Sequence, residues 1–313
     1  GTVPAGHGMV ANVWFDREKD RLVYNIEDAD YRLLTAGADV DSKTEIDPTQ
    51  KAAKVDGRSP ANILSSTFSD ELAVHFAGQS KIFAVSVKDR GAVSMAGHAG
   101  KAFWFSKASG EFVTSDYYYQ QYPDWVKAWN AGKPAQAYAG KSWELMHKPS
   151  RYLFGNADNN DYETDFPGFG RTFPHAYGDQ DDKYFTTRLT LSPAGDELTA
   201  DCARVLLDKE QLGQDDIPDY LAISFSSNDY VGHLFGASSL EIEDNLARLD
   251  KTLAGLFAYI DKKVGLANTL IVLSADHGQP EVPGHLHQRG IKSAHYFDVE
   301  SLDRAPAITA LKK

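Results

Sequence analysis

Two short segments bring carboxylates and imidazoles together at chemically useful spacing: Asp229-Tyr-Val-Gly-His233 and Asp276-His277-Gly278. Each follows an apolar run of strand type, Leu221-Ala-Ile-Ser-Phe225 and Leu270-Ile-Val-Leu273. Asp and His are ligands for Zn²⁺ and related ions. In an open α/β sheet the C-terminal strand ends gather at one crevice, where ligands bind. Two Asp/His pairs delivered there imply a two-metal hydrolytic centre. Either pair alone is weak, because Asp276 also reads as a strand-end turn capping a helix, with His277 solvated. The recurrence of the pattern behind two buried-type strands carries the reading.

A third segment supplies charge of the opposite sign. Lys88-Asp89-Arg90 follows the apolar run Ile82–Val87. On a regular strand, residues two apart share a face, so Lys88 and Arg90 are expected to point the same way. Arg grips two phosphate oxygens as a fork, whereas Lys acts as a point charge. The bland alternative is a solvated strand end with two surface cations.

The elements that would position these residues follow from periodicity. Residues 1–36 read as a turn-rich start and a polar strand-like stretch, and 37–56 as a polar surface loop. Pro60–Phe76 reads as a helix, with Ile63, Leu64, Leu72, Ala73 and Phe76 at near-helical spacing. Ile82–Val87 and Ala102–Phe105 read as strands, the second ending at a Gly110 turn. Residues 111–190, rich in Tyr, Trp, Pro, Gly and Asn, lack clean periodicity. They read as an irregular cap packed by its aromatics, or as a lid that shapes a substrate entrance. Leu198–Leu212 and Ser239–Val264 read as helices, the second with an apolar stripe from Leu240 through Ile260. Strand, ligand loop, long helix, strand and ligand loop make a βαβ unit. The fold class is therefore α/β: a single core over residues 1–313 with a mostly parallel central sheet flanked by helices, and 111–190 as an inserted cap.

The chain has 313 residues, 42% of them apolar, and a formal net charge of −12. The charge argues against nucleic acid as a partner. It also requires a phosphate site to be locally positive, from metals together with Lys88 and Arg90. No run approaches the ~20 apolar residues of a membrane span. The one cysteine, Cys202, permits no internal disulfide and reads as a helix core residue. His7 and His98 sit in Gly-flanked turns and read as structural, and His175 has no assigned role. His285, His287 and His295 read as exposed loop histidines, any of which could add a metal ligand.

These motifs, with Gly1-Thr-Val-Pro4 running into His7-Gly8 and Asn12, and with Gly57-Arg-Ser-Pro60, resemble the alkaline phosphatase superfamily. Within it the chain is similar to the type I phosphodiesterase/nucleotide pyrophosphatase group, in particular its phosphomonoesterase branch with a threonine nucleophile. The resemblance runs from Gly1 to about Gly284. It implies two Zn²⁺ ions. Asp229 and His233 would hold the one on the leaving-group or water side, and Asp276 and His277 the one beside the nucleophile. It implies that Lys88 and Arg90 bind the non-bridging oxygens, a pair that diesterases lack, and that Asn12 donates its amide to a phosphate oxygen. The substrates implied are small-molecule phosphate esters, with no nucleic acid or membrane partner, and the location is periplasmic or secreted. By the family pattern the nucleophile and a further Asp ligand would precede Gly1, and a last His ligand would follow Lys313. The expectation is thus an internal piece of a longer enzyme, and on its own a poor catalyst. The competing readings are a phosphodiesterase or nucleotide pyrophosphatase of the same superfamily, a sulfatase, and a non-catalytic metal- or phosphate-binding protein.

Overall fold

The computed structural model describes residues 3–296, 306 and 310. A one-turn helix, α1 (Pro4–His7), has Pro at its start and stops at Gly8, whose φ of 82° suits a residue without Cβ. An antiparallel hairpin follows, β1 (Val13–Asp16) and β2 (Arg21–Tyr24). Next come α2 (Phe68–His75), β3 (Ile82–Ser86), α3 (Asp89–Ala96), β4 (Lys101–Ser106) and β5 (Glu111–Val113). A less regular stretch holds α4 (Asp124–Ala131), the short strands β6 (Ser142–Trp143) and β7 (His175–Ala176), and α5 (Phe185–Thr190). The chain then regularises as α6 (Pro193–Lys209), β8 (Tyr220–Ser224), α7 (Ser227–Phe235), α8 (Leu240–Lys263) and α9 (Pro283–Gln288).

The central sheet has four strands in the order β5-β4-β3-β8. β3 pairs in parallel with both β4 and β8, and β5 runs antiparallel at one edge. Alternation along β3 sorts its side chains between two layers. Phe83, Val85 and Val87 join Phe103 and Phe105 under α6, where they meet Leu198, Cys202 and Leu206. Ala84 joins Ala102, Trp104 and Ala222 under α3, against Ala92, Val93 and Ala96. Cys202 is a buried free thiol.

Four sequence expectations change. The helix over Pro60–Phe76 shrinks to α2, because Thr67 takes the cap: its hydroxyl accepts from the Asp70 N–H while Asp70 returns a bond to the Thr67 N–H. Residues 60–67 are turns, and Leu64 is left exposed. The loop 37–56 is not a surface strap. Thr44, Glu45, Asp47 and Gln50 are buried. Glu111–Val113, at the start of the irregular region, belongs to the central sheet. Finally, Leu270–Leu273 is not a strand. Among the described residues nothing hydrogen-bonds to the free edge of β8. Without a partner ladder the run forms no regular element and faces solvent, with Leu270 90% and Val272 78% exposed. The βαβ unit expected from Leu221 to Leu273 therefore lacks its second strand.

The irregular region is held to the helices by indole and phenol donors, each satisfied by a carboxylate. Trp125 Nε1 donates to Glu210, Trp129 Nε1 to Asp201 at 2.9 Å, and Tyr138 Oη to Glu197 at 2.7 Å. Trp143 Nε1 and Tyr152 Oη both donate to Asp244 of α8. Deeper in, His175 and Glu241 are fully buried side by side, 3.3 Å apart. His175 Nδ1 donates to the Phe169 carbonyl, and burial pushes the imidazole down to about 4, so Nε2 is a lone pair. Glu241 must then carry the proton. Burial, with Asp158 and Asp244 nearby, pushes its carboxyl up to about 8.

This arrangement sets a pH dependence. A carboxyl at about 8 in the fold but near 4.5 in the unfolded chain means the folded protein binds the extra proton between those values. Stability therefore falls as pH rises through that window. Glu241→Gln keeps an N–H donor toward His175 Nε2 and cannot ionise. It should raise Tm by several degrees at pH 9 while matching wild type at pH 4.5. An equal shift at both pH values in thermal melts would refute the assignment of that proton.

Candidate functional site

β3 and β8 lie in register from Ile82 opposite Tyr220 to Ser86 opposite Ser224. Their C-terminal ends therefore release the chain side by side. Three serine hydroxyls tie the two ends together. Ser86 Oγ and Ser224 Oγ lie 3.0 and 2.8 Å from Ser226 Oγ, and Ser86 Oγ accepts the Lys88 N–H at 3.0 Å. Gly91 permits this packing, since a Cβ there would meet Ser86 Oγ at 2.9 Å.

Lys88 does not sit on a strand. It is the N-cap of α3, with Asp89 in the first turn and Arg90 following. Lys88 and Arg90 are thus about 200° apart around a helix rather than on one strand face. The acidic Asp89 suits a helix start and explains why the chain turns there. The two cations take different partners. Lys88 Nζ, largely buried, contacts Asp229 Oδ2 and lies 4.1 Å from the centre of the Tyr230 ring. Arg90 Nη1 donates to Asp47 Oδ2 at 2.7 Å and to Thr49 Oγ1 at 3.2 Å. Glu45, on the same loop as Asp47, binds Lys107 Nζ at 2.6 Å, and Lys107 reaches the Tyr230 hydroxyl at 3.1 Å. Carboxylates and cations therefore alternate around Tyr230. The sequence reading missed Glu45, Asp47, Lys107 and Tyr230. The one signal was a pair of carboxylates flanking Ile46 in an otherwise polar loop.

The Asp/His residues come together around Asp229. Asp229 Oδ1 lies 3.2 Å from His233 Nε2 and 3.4 Å from His277 Nε2, and His277 Nε2 lies 3.5 Å from Asp276 Oδ2. The i to i+4 spacing on α7 stacks Asp229 and His233 on one helix face. The second motif is brought in by packing on α7. Gly232 gives room to Gln279, whose side chain a Cβ would strike at 2.8 Å, and Ser238 donates to Glu281. The four donors form one group rather than two separated pairs, with His277 shared between Asp229 and Asp276.

Burial alone would raise the Asp229 carboxyl, but His233 and Lys88 outweigh it and hold it well below the usual carboxylate range. For Lys88 the balance falls the other way: burial and the nearby Arg90 charge push its ammonium below the ordinary value.

The donor set suits a metal ion. Asp229 Oδ1 is buried and has no hydrogen-bond donor, although two imidazoles are close. Two ligands ~2.1 Å from one tetrahedral ion lie about 3.4 Å apart, close to the 3.2 and 3.4 Å at which the two Nε2 atoms stand from Asp229 Oδ1. His277 Nδ1 is directed to the Gly278 carbonyl at 3.0 Å, which leaves Nε2 as the lone pair. Among the described residues no group of three or more His, Cys, Asp or Glu is closed enough to grip an ion as it stands. The Asp276 side chain is 87% exposed, so the donors form an open half-shell.

The remaining candidates lie elsewhere. Asn12 is exposed at the start of β1, where its side-chain oxygen accepts from Asn25 at 3.3 Å rather than meeting Lys88 or Asp229. His98 bridges Asp70 and the Ile63 carbonyl, and His7 Nδ1 accepts the Met9 N–H. His285 meets Tyr162, and His287 meets the Ala294 carbonyl and the His295 ring.

The sequence model of the type I phosphodiesterase / nucleotide pyrophosphatase family matches residues 1–312. The chain belongs to that family. It is 37% identical over 291 residues to alkaline phosphatase PhoV of Synechococcus elongatus, covering 92% of this chain and 50% of that protein. It is 36% identical over 299 residues to alkaline phosphatase PafA of Elizabethkingia meningoseptica, covering 94% of this chain and 51% of that one. The crystal structure of wild-type PafA superposes with a TM-score of 0.85 at 32% identity, over 99% of this chain and 57% of that chain. A PafA variant with substitutions at a threonine, an asparagine, a lysine and an arginine superposes with a TM-score of 0.83 at 31% identity, over 97% of this chain and 57% of that chain. The chain thus has the α/β fold of these phosphatases, with a mixed sheet flanked by helices, and spans about half the length of the curated relatives it matches.

The Asp47–Arg90 pair can be checked directly. Burial favours a neutral Asp47, but Arg90 and Thr49 overturn that and hold the carboxyl at about 2, below its ordinary 3.8. A depressed carboxyl adds stability above the ordinary value and loses it as pH falls toward 2. Asp47→Ala, which leaves Arg90 without its carboxylate, should cost about 3 kcal/mol at pH 7. That loss should shrink between pH 4 and pH 2.5 in urea titrations. A pH-independent difference would show that charge pairing is not what the loop contributes.

Proposed function

We propose that the site hydrolyses phosphate monoesters with the help of bound zinc. The observation that carries the reading is the meeting of the two strand ends: Lys88 against one oxygen of Asp229, with His233 and His277 facing the other. Asp229, His233, Asp276 and His277 would hold the metal. When bound, it supplies Lewis-acid neutralisation of phosphate oxygens and a water of lowered pKa.

The protein's own part is electrostatic. Phosphoryl transfer spreads negative charge over the non-bridging oxygens, so catalysis asks for positioned cations. Lys88 and Arg90 lie together at the start of α3, and the helix N-terminus adds a positive end of its own. Lys88 is buried on the Tyr230 face, which keeps its ammonium poorly hydrated and therefore a stronger partner for an anion. Arg90 is oriented by Asp47 and Thr49, which hold one edge of its fork. A monoester above its second pKa of ~6 is a dianion, and two cations match it. A diester has one charge and a second ester group in the same space. The lysine and arginine replaced in the PafA variant are two residues apart, as Lys88 and Arg90 are. Asn12 is proposed as a third donor to phosphate by resemblance alone. The same resemblance supports a periplasmic or secreted enzyme acting on small phosphate esters. No helix among the described residues is long and apolar enough to cross a membrane.

The test is a pair of substitutions in the full-length protein. Lys88→Ala with Arg90→Ala should lower kcat/KM for an aryl phosphate monoester by about 10²–10³ while changing diester hydrolysis by less than about threefold. Chelation should abolish both activities, and zinc should restore them. Equal losses on both substrates would favour the phosphodiesterase reading. Zinc binding without turnover would favour a binding protein.

A further inference from the structure

Helix α7, which carries Asp229 and His233, does not cap itself. The first N–H groups of a helix need acceptors from outside it. The usual donor of such an acceptor is the N-cap side chain, here Ser226, and it makes no cap bond. Its hydroxyl is committed to Ser86 and Ser224 in the strand-end cluster. The acceptor comes from a different helix. Asp196, in the first turn of α6, takes the Ser227 N–H at 3.0 Å.

The site is built for close approach. A Cβ on Gly195 would lie 2.2 Å from Ser227 Oγ, so the α6 backbone touches the first residue of α7 only because position 195 is glycine. Asp196 is 2% exposed and forms no ion pair with a cation among the described residues. Its Oδ2 and the Ser227 hydroxyl are both buried without a partner. Burial pushes its carboxyl up to about 7 against the pull of the Ser227 and Asn228 donors, so holding it there costs stability. The benefit it confers is the placement of α7, since Asp229 lies two residues beyond Ser227.

We propose that Asp196 is a positioning residue for the metal-ligating helix. It caps α7 in place of Ser226, and so fixes where Asp229 and His233 stand relative to His277 and Lys88. The inference rests on the reading of Asp229 and His233 as metal ligands.

The test measures zinc affinity of the full-length protein by competition with a chromophoric chelator, independently of turnover. Asp196→Ala leaves the Ser227 N–H without its acceptor, and should weaken zinc binding by about 10–100-fold. Asp196→Asn keeps an oxygen for that N–H and gains an N–H for Ser227 Oγ, so it should stay within about threefold of wild type. Leu198→Ala, a cavity in the buried face of the same helix, should lower Tm by several degrees and leave affinity unchanged. Asp229→Ala reports on the underlying reading. If it weakens zinc binding while Asp196→Ala does not, the positioning role is overturned and the ligand assignment stands. If Asp229→Ala has no effect, both are overturned. An Asn variant as weak as the Ala variant, or a Leu198→Ala variant equally weakened, also overturns the positioning role.

Discussion

In a parallel pair of strands both chains leave the sheet at the same end, and β3 and β8 pair with Ser86 opposite Ser224. The placement of Lys88 and of the start of α7 follows from that register. It sets the Lys88 loop beside the loop that opens α7, and it lets Ser86, Ser224 and Ser226 share hydroxyls. A slip of one residue would invert the alternation of β3, sending Phe83 and Val85 to the α3 face and Ala84 to the α6 face. The difference in bulk between those faces, aromatic and branched under α6 but alanine-lined under α3, holds the register. The hydrophobic core and the polar site are therefore specified by the same strand.

Charge is the second constraint. A chain with a formal net charge of −12 must concentrate cations to receive an anion. Each cation around Tyr230 is paired with a carboxylate: Asp229 for Lys88, Asp47 for Arg90 and Glu45 for Lys107. Such pairs keep buried cations from being left unsatisfied, at the cost of partly neutralising them. The pairs are not equivalent. Arg90 keeps the rest of its guanidinium fork while Asp47 holds one edge, whereas Lys88 has a single point of charge and spends it on Asp229. Lys88 is accordingly the cation most exposed to competition for its partner.

What the sequence disclosed and what it withheld divide along physical lines. β3, β8 and α8 were legible because a buried strand, an apolar edge strand and a long amphipathic helix write their packing into local pattern. Asp229 and His233 were legible as positions after an apolar strand, whereas the strand expected to deliver Asp276 and His277 does not form. The geometry of Lys88 and Arg90 was not, because a strand-to-helix change between Ser86 and Asp89 turns a shared strand face into two helix faces. Glu45 and Asp47 were hidden because a buried loop carries no period, and a carboxylate that will meet an arginine forty residues on looks like any surface acid. Leu270–Leu273 misled for the opposite reason. Its composition is that of a core strand, but a strand exists only through its neighbour's backbone, and composition does not contain the neighbour.

That last case explains why α7 matters more than its length suggests. Since Leu270–Leu273 is not anchored in the sheet, Asp276 and His277 do not inherit a position from a strand end as Asp229 does. Their placement comes from the next segment, in which Gln279 packs on Gly232, Glu281 accepts from Ser238 and Val282 lies against Gly236. All three anchors are on α7 or immediately after it. The glycine in Asp229-Tyr-Val-Gly-His233 is thus part of the site's construction, since any side chain there would push away the strand of chain that bears the second pair. One short helix presents Asp229 and His233 and also supplies the surface that aligns Asp276 and His277, so whatever fixes its start fixes the whole group.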